Sequence, residues 1–542
     1  MKKKKRFYLE INLKEEIVEG RPEYSFFARR ERTALQDVLE ILHHATLNPK
    51  IAAISLTIDH LICGWARLSN LRRALQVFRR SGKPIYCFLE SGGNPEYYLA
   101  SVCDQIFMAP AASLHLVGLT AEAFFFRNIL DRFGVEPQLQ TIGEYKSAAE
   151  MFTRTGMSPQ AREQWEALLD DHYETFLVAM AESRGLSREE VSAIIDSGPF
   201  TVREAVKERL LDGACYQDEV VEKLKEKLGD RIFPLPAAKY PTSDGFFKRL
   251  LTFRRPRIAI LDVIGTIDSG ESRRDRLGRQ VAGAETIGKF LDHARDARKI
   301  RAVVLRVDSP GGSALASDLI WRKVTLLRKK KPVIASFSDV AASGGYYIAA
   351  AASRIYAEPT SITGSIGVLG GKFVARELIS RLTIQRESIR RGAHAEYESL
   401  FSPFSQAEAG HLEHQLQEFY REDFVKKVAD GRKMSEEAVD AVGRGRIWSG
   451  CRAKSHELVD EIGGLSEAIE EARKLAQIPD RKKICLLHYY RRRRLREMFM
   501  PQVTASALAE LLPQSALDWV EFLQQLARNT VLLLLPFDIR IR

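Results

Sequence analysis

The sequence predicts an α/β fold: two tandem copies of one domain, each built on a parallel sheet, with helical extensions. Three observations predict it. Apolar runs that read as buried strands alternate with helical segments, the pattern of parallel sheets with right-handed crossovers. Segments of the first half recur about 250 residues later, a period that means duplicated domains rather than a solenoid. The chain has 542 residues, too many for one hydrophobic core and suited to two or three domains.

The elements follow in order. Phe7-Tyr8-Leu9-Glu10-Ile11-Asn12-Leu13 alternates and reads as a strand. A helical segment leads to an apolar strand at 51–57, then to a helix from Leu71 to Arg80 and a strand before Ser91-Gly92-Gly93. The stretch 157–194 reads as amphipathic helices, with Ser158-Pro159 as a helix start. Residues 229–256 contain Pro234, Pro236 and Pro241, have no counterpart in the second half and read as a linker. The second copy repeats the plan with a strand at 302–307, a helix from Leu315 to Arg328 and the strand Pro332-Val333-Ile334-Ala335. Its helices at 403–442 are expected to start at Ser402-Pro403. The expected domains are therefore 1–228 and 257–475, with 476–542 as an extension outside the duplication. After the run Arg491 to Arg494, residues Ala505 to Leu526 read as amphipathic surface helices interrupted at Pro513, or as helices packed on the body.

The duplication rests on aligned residues. Tyr97-Tyr98-Leu99-Ala100-Ser101 pairs with Tyr346-Tyr347-Ile348-Ala349-Ala350, and Lys83-Pro84-Ile85 with Lys331-Pro332-Val333. Phe200-Thr201 pairs with Trp448-Ser449, and Leu210-Leu211-Asp212 with Leu458-Val459-Asp460. The copies have lost different residues. No serine in copy one aligns with Ser343; Ser91-Gly92-Gly93-Asn94-Pro95-Glu96 precedes the tyrosines there. Nothing in copy two replaces Lys146, whose partner is Ala395 or His394. A site assembled from both halves would need one residue from each.

Two glycine turns carry the chemistry. Asp308-Ser309-Pro310-Gly311-Gly312 and Ala342-Ser343-Gly344-Gly345-Tyr346-Tyr347 each follow a buried strand. A strand, a glycine turn and a helix leave backbone N–H groups free for an oxyanion. Sites in parallel sheets form at the carboxyl ends of adjacent strands. The expected oxyanion donors are the N–H groups of Gly311 or Gly312 and of Gly344. Ser343 stands where a nucleophile is needed, although a small residue at a tight turn explains it as well. Asp308 reads as a helix cap or as the partner of a basic neighbour, with no catalytic role. A base is also required, and no histidine lies in either turn. His394, His411 and His414 follow Ser343 and stay open. A lysine serves if it is neutral, which means lowering its ordinary pKa of ~10.4 by burial; a drop of ~3 units corresponds to about 4 kcal/mol.

These turns, with Gly364-Ser365-Ile366-Gly367 and Gly143-Glu144-Tyr145-Lys146-Ser147-Ala148, resemble the signal peptide peptidase A (protease IV) family in its long two-domain form, from about residue 8 to 475. The resemblance implies a fold shared with Clp protease and the crotonases. It implies a serine endopeptidase with a Ser/Lys dyad, Ser343 as nucleophile and Lys146 as general base, acting on cleaved signal peptides or other apolar peptides without cofactor or metal. Glu144, next but one to the lysine, could instead pair with it and keep it charged. Ser365 lines the cleft or is a turn residue, and both readings stay open. The resemblance also implies membrane association and bowl-like homo-oligomers, tetramers by analogy.

Other readings are weighed against this one. A crotonase-like acyl-CoA enzyme would need acidic residues near the turns. A Clp-like Ser/His/Asp triad would need a histidine soon after Ser343, and none lies between Ser343 and Ala393. A catalytically silent membrane scaffold predicts loss of Ser343 or Lys146, and both are present.

Composition narrows the partners. Eighty-two Lys and Arg residues against 71 Asp and Glu give a net charge of +11, concentrated at Lys2 to Arg6, Lys248 to Arg257 and Arg491 to Arg494. No nucleic-acid motif accompanies these clusters, so solvated surface or an anionic membrane surface are the expected roles. Cysteines 63, 87, 103, 215, 451 and 485 lack zinc or disulfide-framework spacing and read as buried reduced thiols. No secretory signal or membrane anchor follows the basic start, which leaves a cytoplasmic location open. The run Val531 to Phe537 is too short to span a bilayer.

Overall fold

A computed structural model describes residues 5–20, 32–229, 231–240, 255–275, 279–489, 531–534 and 541. The clusters at Arg491 to Arg494 and Ala505 to Leu526 lie outside the described residues, as do Pro241, Lys2 to Lys4 and most of 248–257.

The chain is α/β, with two copies of the same sheet. The first copy orders its parallel strands as Ile232–Pro236, Arg6–Val18, Ile51–Ile62, Ile85–Leu89, Gln105–Met108 and Gly213–Ala214. The second orders Cys485–Tyr489, Arg257–Ile264, Ile300–Ser309, Val333–Ala342, Arg354–Ala357 and Glu461–Ile462 in the same way. The central strands are buried on both faces, which is why they read as continuous apolar runs. Each copy has its own main hydrophobic cluster.

The repeat extends to side-chain contacts. Lys83 Nζ donates to the carbonyls of Ala45, Thr46 and Asn48, and Lys331 Nζ to those of Ala294 and Ala297. Each lysine closes off the carbonyl end of an earlier helix of its copy, Leu35–Leu47 or Ala284–Asp296. Tyr97 donates to the Leu210 carbonyl at 2.8 Å, and Tyr346 to that of Leu458 at 2.9 Å. Asp212 accepts from Ile106 N and Asp460 from Ile355 N.

Three expectations change. Residues 232–236, read as linker without a counterpart, form an edge strand of the first sheet, and 485–489 is their counterpart in the second. Pro234 and Pro236 fit there because this is an edge, where a missing N–H faces no neighbour. The helix at Gln406–Glu418 begins not at Ser402-Pro403 but at Ser405, whose hydroxyl accepts from Glu408 N while its own N–H donates to the Glu408 carboxylate. The reciprocal capping box outweighs the proline signal. Cys87, Cys103 and Cys215 are buried thiols, but Cys451 is exposed, and all six cysteines are free.

The two copies are locked by buried charge. The Arg306 guanidinium is fully buried and bonds Glu19 of the first copy, Ser336 Oγ and the Phe337 carbonyl. Burial pushes the Glu19 carboxyl up, but Arg306 beside it outweighs this and holds its pKa below the ordinary value. Asp339 of the second copy accepts from Ala66 N and Arg67 N, both at 3.0 Å, at the start of the helix Trp65–Arg80. Free N–H groups at a helix start attract a carboxylate.

A third sheet joins the copies. It orders Arg273–Arg274, Gln280–Gly283, Thr266–Asp268, Gly311–Ser313, Val531–Leu534, Val368–Val374 and Glu136–Ile142. Glu136–Ile142 belongs to copy one, yet all seven of its residues pair antiparallel with Val368–Val374 of copy two. This pairing carries the following turn, with Lys146, into the second copy.

Candidate active site

Ser343 stands between the strand Val333–Ala342 and the helix Gly344–Ala350. Its backbone has φ 55° and ψ −114°, outside the regions L-residues favour. The bend is held by Ser343 N donating to the Gly364 carbonyl at 2.8 Å and by Tyr347 N donating to the Ser343 carbonyl. Such strain at a strand-to-helix turn presents a side chain at the sheet's carboxyl end.

The glycine turn of the preceding strand lies alongside. A Cβ built on Gly344 would be 3.2 Å from Gly311 Cα and 3.3 Å from Gly312 N. Only glycines allow this approach, and Gly311 and Gly312 have φ 107° and 153°. Gly344 opens its helix, so its N–H has no intrahelical acceptor. Gly311 N donates instead to Ser309 Oγ, at 3.2 Å. Asp308 neither caps the next helix nor enters the site. Ser313 is that cap, and Asp308 accepts from Val340 N at 3.2 Å. Burial pushes the Asp308 carboxyl up to about 7, against the pull of Arg67.

Lys146 reaches the serine from the other copy. Its Nζ is 2.8 Å from Ser343 Oγ, 3.0 Å from Ser365 Oγ and 3.1 Å from the Ser365 carbonyl. The side chain is buried, and among the described residues no carboxylate offsets its desolvation, so burial holds its pKa well below that of an ordinary lysine. The nearby carboxylate that could have kept it charged is engaged elsewhere: Glu144 faces Arg444 at the surface, 3.6 Å away. Ser365 is buried, with φ 51°, and its N donates to the Arg446 carbonyl. The histidines are placed differently. His394 contacts Glu408, His411 contacts Gln415 and His414 faces Glu418; among the described residues none is bonded to Ser343.

Sequence reasoning missed the supports of Lys146. Tyr145 N donates to the Arg444 carbonyl at 2.9 Å, and Gln164 bridges the Tyr145 carbonyl, Ser147 Oγ and Ile447 N. Gly445, with φ 82°, packs directly under the lysine: a Cβ there would lie 2.4 Å from Lys146 N and 2.6 Å from its Cα. The Gly443-Arg444-Gly445 run was the available signal. Gly445→Ala is therefore expected to lower kcat/KM by about 10²-fold, the cost of a misplacement of about 1 Å, while the protein stays folded. Activity within twofold of the parent would show that the lysine does not depend on this contact.

The family model "Peptidase family S49" matches residues 77–230 and, a second time, 325–479. The protein described as "Serine protease SPPA, chloroplastic" from Arabidopsis thaliana is 38% identical over 462 residues, covering 84% of this chain and 68% of that protein. "Protease 4" of Haemophilus influenzae is 30% identical over 459 residues, with 81% of this chain and 72% of that protein covered. "Protease 4" of Salmonella typhi is 28% identical over 499 residues, covering 90% and 78%. Among solved structures, ClpP1 from Listeria monocytogenes is similar over 38% of this chain and 91% of that one, at 18% identity and a TM-score of 0.23.

Proposed function

This chain belongs to peptidase family S49 and is a serine peptidase, and we propose that it is an endopeptidase working through a Ser343/Lys146 dyad. The observation that carries this reading is the 2.8 Å contact between a buried, depressed-pKa lysine amine and the serine hydroxyl.

A serine hydroxyl attacks a carbonyl poorly until its proton is removed. Neutral Lys146 takes that proton as Ser343 Oγ bonds to the scissile carbonyl carbon, and the carbonyl oxygen becomes an oxyanion. The N–H groups of Gly344 and of Gly312 in the adjoining turn are the proposed donors to that charge, Gly311 N being held by Ser309 Oγ; one such donor lowers the barrier by ~3 kcal/mol. The resulting ammonium of Lys146 gives its proton to the leaving amine as the C–N bond breaks. Water then repeats the sequence on the acyl-enzyme. Lys146 deprotonates it, the ester bond to Ser343 breaks, and the acid leaves with the serine proton restored. Ser365 is the positioning residue for the amine throughout.

The substrates proposed are cleaved signal peptides or other apolar peptides, by analogy with the family. Homo-oligomers, tetramers in the family, are part of the same proposal. Exposed apolar side chains fit this: Ile129 and Phe133 lie on the helix Arg127–Phe133, and Leu382, Ile384 and Ile389 follow the helix Arg376–Arg381, whose Leu378 N donates to the Gly134 carbonyl just after the first helix. Membrane association is proposed as peripheral. Among the described residues no helix is long and apolar enough to cross a membrane.

A fluorophosphonate probe tests the enzyme reading. One adduct per chain is expected, mapped by mass spectrometry to the peptide containing Ser343. A folded protein that takes up no probe, or takes it up at another serine, contradicts the assignment and favours a silent scaffold.

A further inference from the structure

The strand Val531–Leu534 sits inside the third sheet at its catalytic end. It pairs antiparallel with Gly311–Ser313 on one side, matching Gly311 with Leu534, Gly312 with Leu533 and Ser313 with Leu532. On its other side it pairs antiparallel with Val368–Val374, matching Leu369 with Leu532 and Gly370 with Val531. One wall is thus the oxyanion turn, and the other descends from Ser365. Three of the five wall residues facing this strand are glycines. Glycine within a strand marks a place where another backbone approaches closely.

The strand also reaches the reacting groups. A Cβ on Gly311 would lie 1.9 Å from the Leu533 carbonyl oxygen and 2.8 Å from Gly344 N. The Leu533 carbonyl therefore stands at the turn that faces the oxyanion. Side chains alternate across a strand. Leu532 and Leu534 enter one apolar pocket with Ala148, Phe152, Leu369 and Phe373, while Leu533 joins the core of the second copy. Ala148 lies two residues beyond Lys146, so the pocket borders the dyad.

Removing this segment would leave two strand edges one strand apart, each with unpaired N–H and C=O groups. That is a slot for one extended peptide, read by main-chain pairing and by pockets for alternate side chains. We infer that Val531–Leu534 is a resident pseudosubstrate: the chain's own C-terminal segment fills the peptide slot, and an extended apolar peptide must displace it to be cleaved. This rests on the peptidase reading above. The slot takes a peptide antiparallel to both walls, with large aliphatic side chains at alternate positions in the Phe152 and Phe373 pocket.

The test uses three proteins: the full chain, the full chain carrying Leu532→Asp and Leu534→Asp, and a chain ending at residue 530. Each is assayed with a quenched-fluorescent apolar peptide and titrated with the fluorophosphonate probe. Two carboxylates in the apolar pocket expel the strand without deleting it. If the segment fills the slot in about nine-tenths of molecules, freeing it raises kcat/KM about tenfold, mainly through KM. A synthetic peptide spanning residues 528–537 is expected to inhibit the truncated chain competitively and the full chain about tenfold more weakly. Unchanged or reduced peptide turnover in both variants, with Ser343 still labelled by the probe, would overturn the inference and make the strand a structural part of the sheet. Loss of labelling in all three proteins would instead refute the peptidase reading, so the two failures are distinct.

Discussion

Ser343→Ala is expected to lower peptide hydrolysis by about 10⁴-fold or more and to abolish fluorophosphonate labelling, with the circular dichroism spectrum unchanged. Removing the nucleophile of a serine peptidase leaves only what oxyanion stabilisation and binding supply, and costs of 10⁴ to 10⁶ are typical, equivalent to about 5–8 kcal/mol of barrier. The fold tolerates the change because the backbone bonds of residue 343 hold the bend, namely Ser343 N to the Gly364 carbonyl and Tyr347 N to the Ser343 carbonyl. The side chain loses one hydrogen bond, that to Lys146. Melting should therefore move by no more than about 1 kcal/mol in stability. Activity within a few-fold of the parent would refute Ser343 as nucleophile.

Lys146→Met is expected to match that loss of activity while raising thermal stability at neutral pH. The two effects have one cause. Burial without a carboxylate partner lowers the lysine pKa in the folded state, so folding releases a proton that the unfolded chain keeps. The unfolded state binds more protons throughout the window between the depressed pKa and the ordinary ~10.4, so wild-type stability rises with pH across it. Methionine has a similar length and no proton to lose. The variant should melt above the parent at pH 7, and the gap should close as pH approaches about 10. Lys146→Arg should also be inactive, because guanidinium does not deprotonate in proteins. A Lys146→Met variant that is active, or that melts lower at pH 7 and higher at pH 10, would contradict a neutral buried amine.

Local patterns carried much of the architecture. Lys83 and Lys331, Tyr97 and Tyr346, and Asp212 and Asp460 were alignable because each pair serves the same local purpose in its own copy. Strands at 51–57 and 302–307 were legible as apolar runs, and the structure lengthens them to Ile51–Ile62 and Ile300–Ser309. The complementary loss of a lysine in one copy and a serine in the other pointed to a site shared between them. The third sheet was not legible. Its pairing of Glu136–Ile142 with Val368–Val374 joins segments over 200 residues apart, and periodicity within a strand says nothing about its partner. The same holds for Gly445, whose role exists only because Lys146 lies against it. The edge strands 232–236 and 485–489 were hidden for another reason: both are short, and the first is rich in proline. The leucines at 532–534 raised the question of a membrane; in the structure Leu533 and Leu534 pair with Gly312 and Gly311, and Leu532 with Ser313 and Leu369.

The central claim is that a neutral lysine from one copy activates the serine of the other. The most direct measurement is the rate of fluorophosphonate labelling of Ser343 between pH 5 and 11, in the parent and in Lys146→Met. The parent rate should climb tenfold per pH unit through a single ionisation whose midpoint lies well below the ordinary lysine value of ~10.4, then reach a plateau. The Lys146→Met rate should be far lower and should lack that ionisation. A parent profile without the ionisation, or one that survives unchanged in Lys146→Met, would mean that another group takes the serine proton.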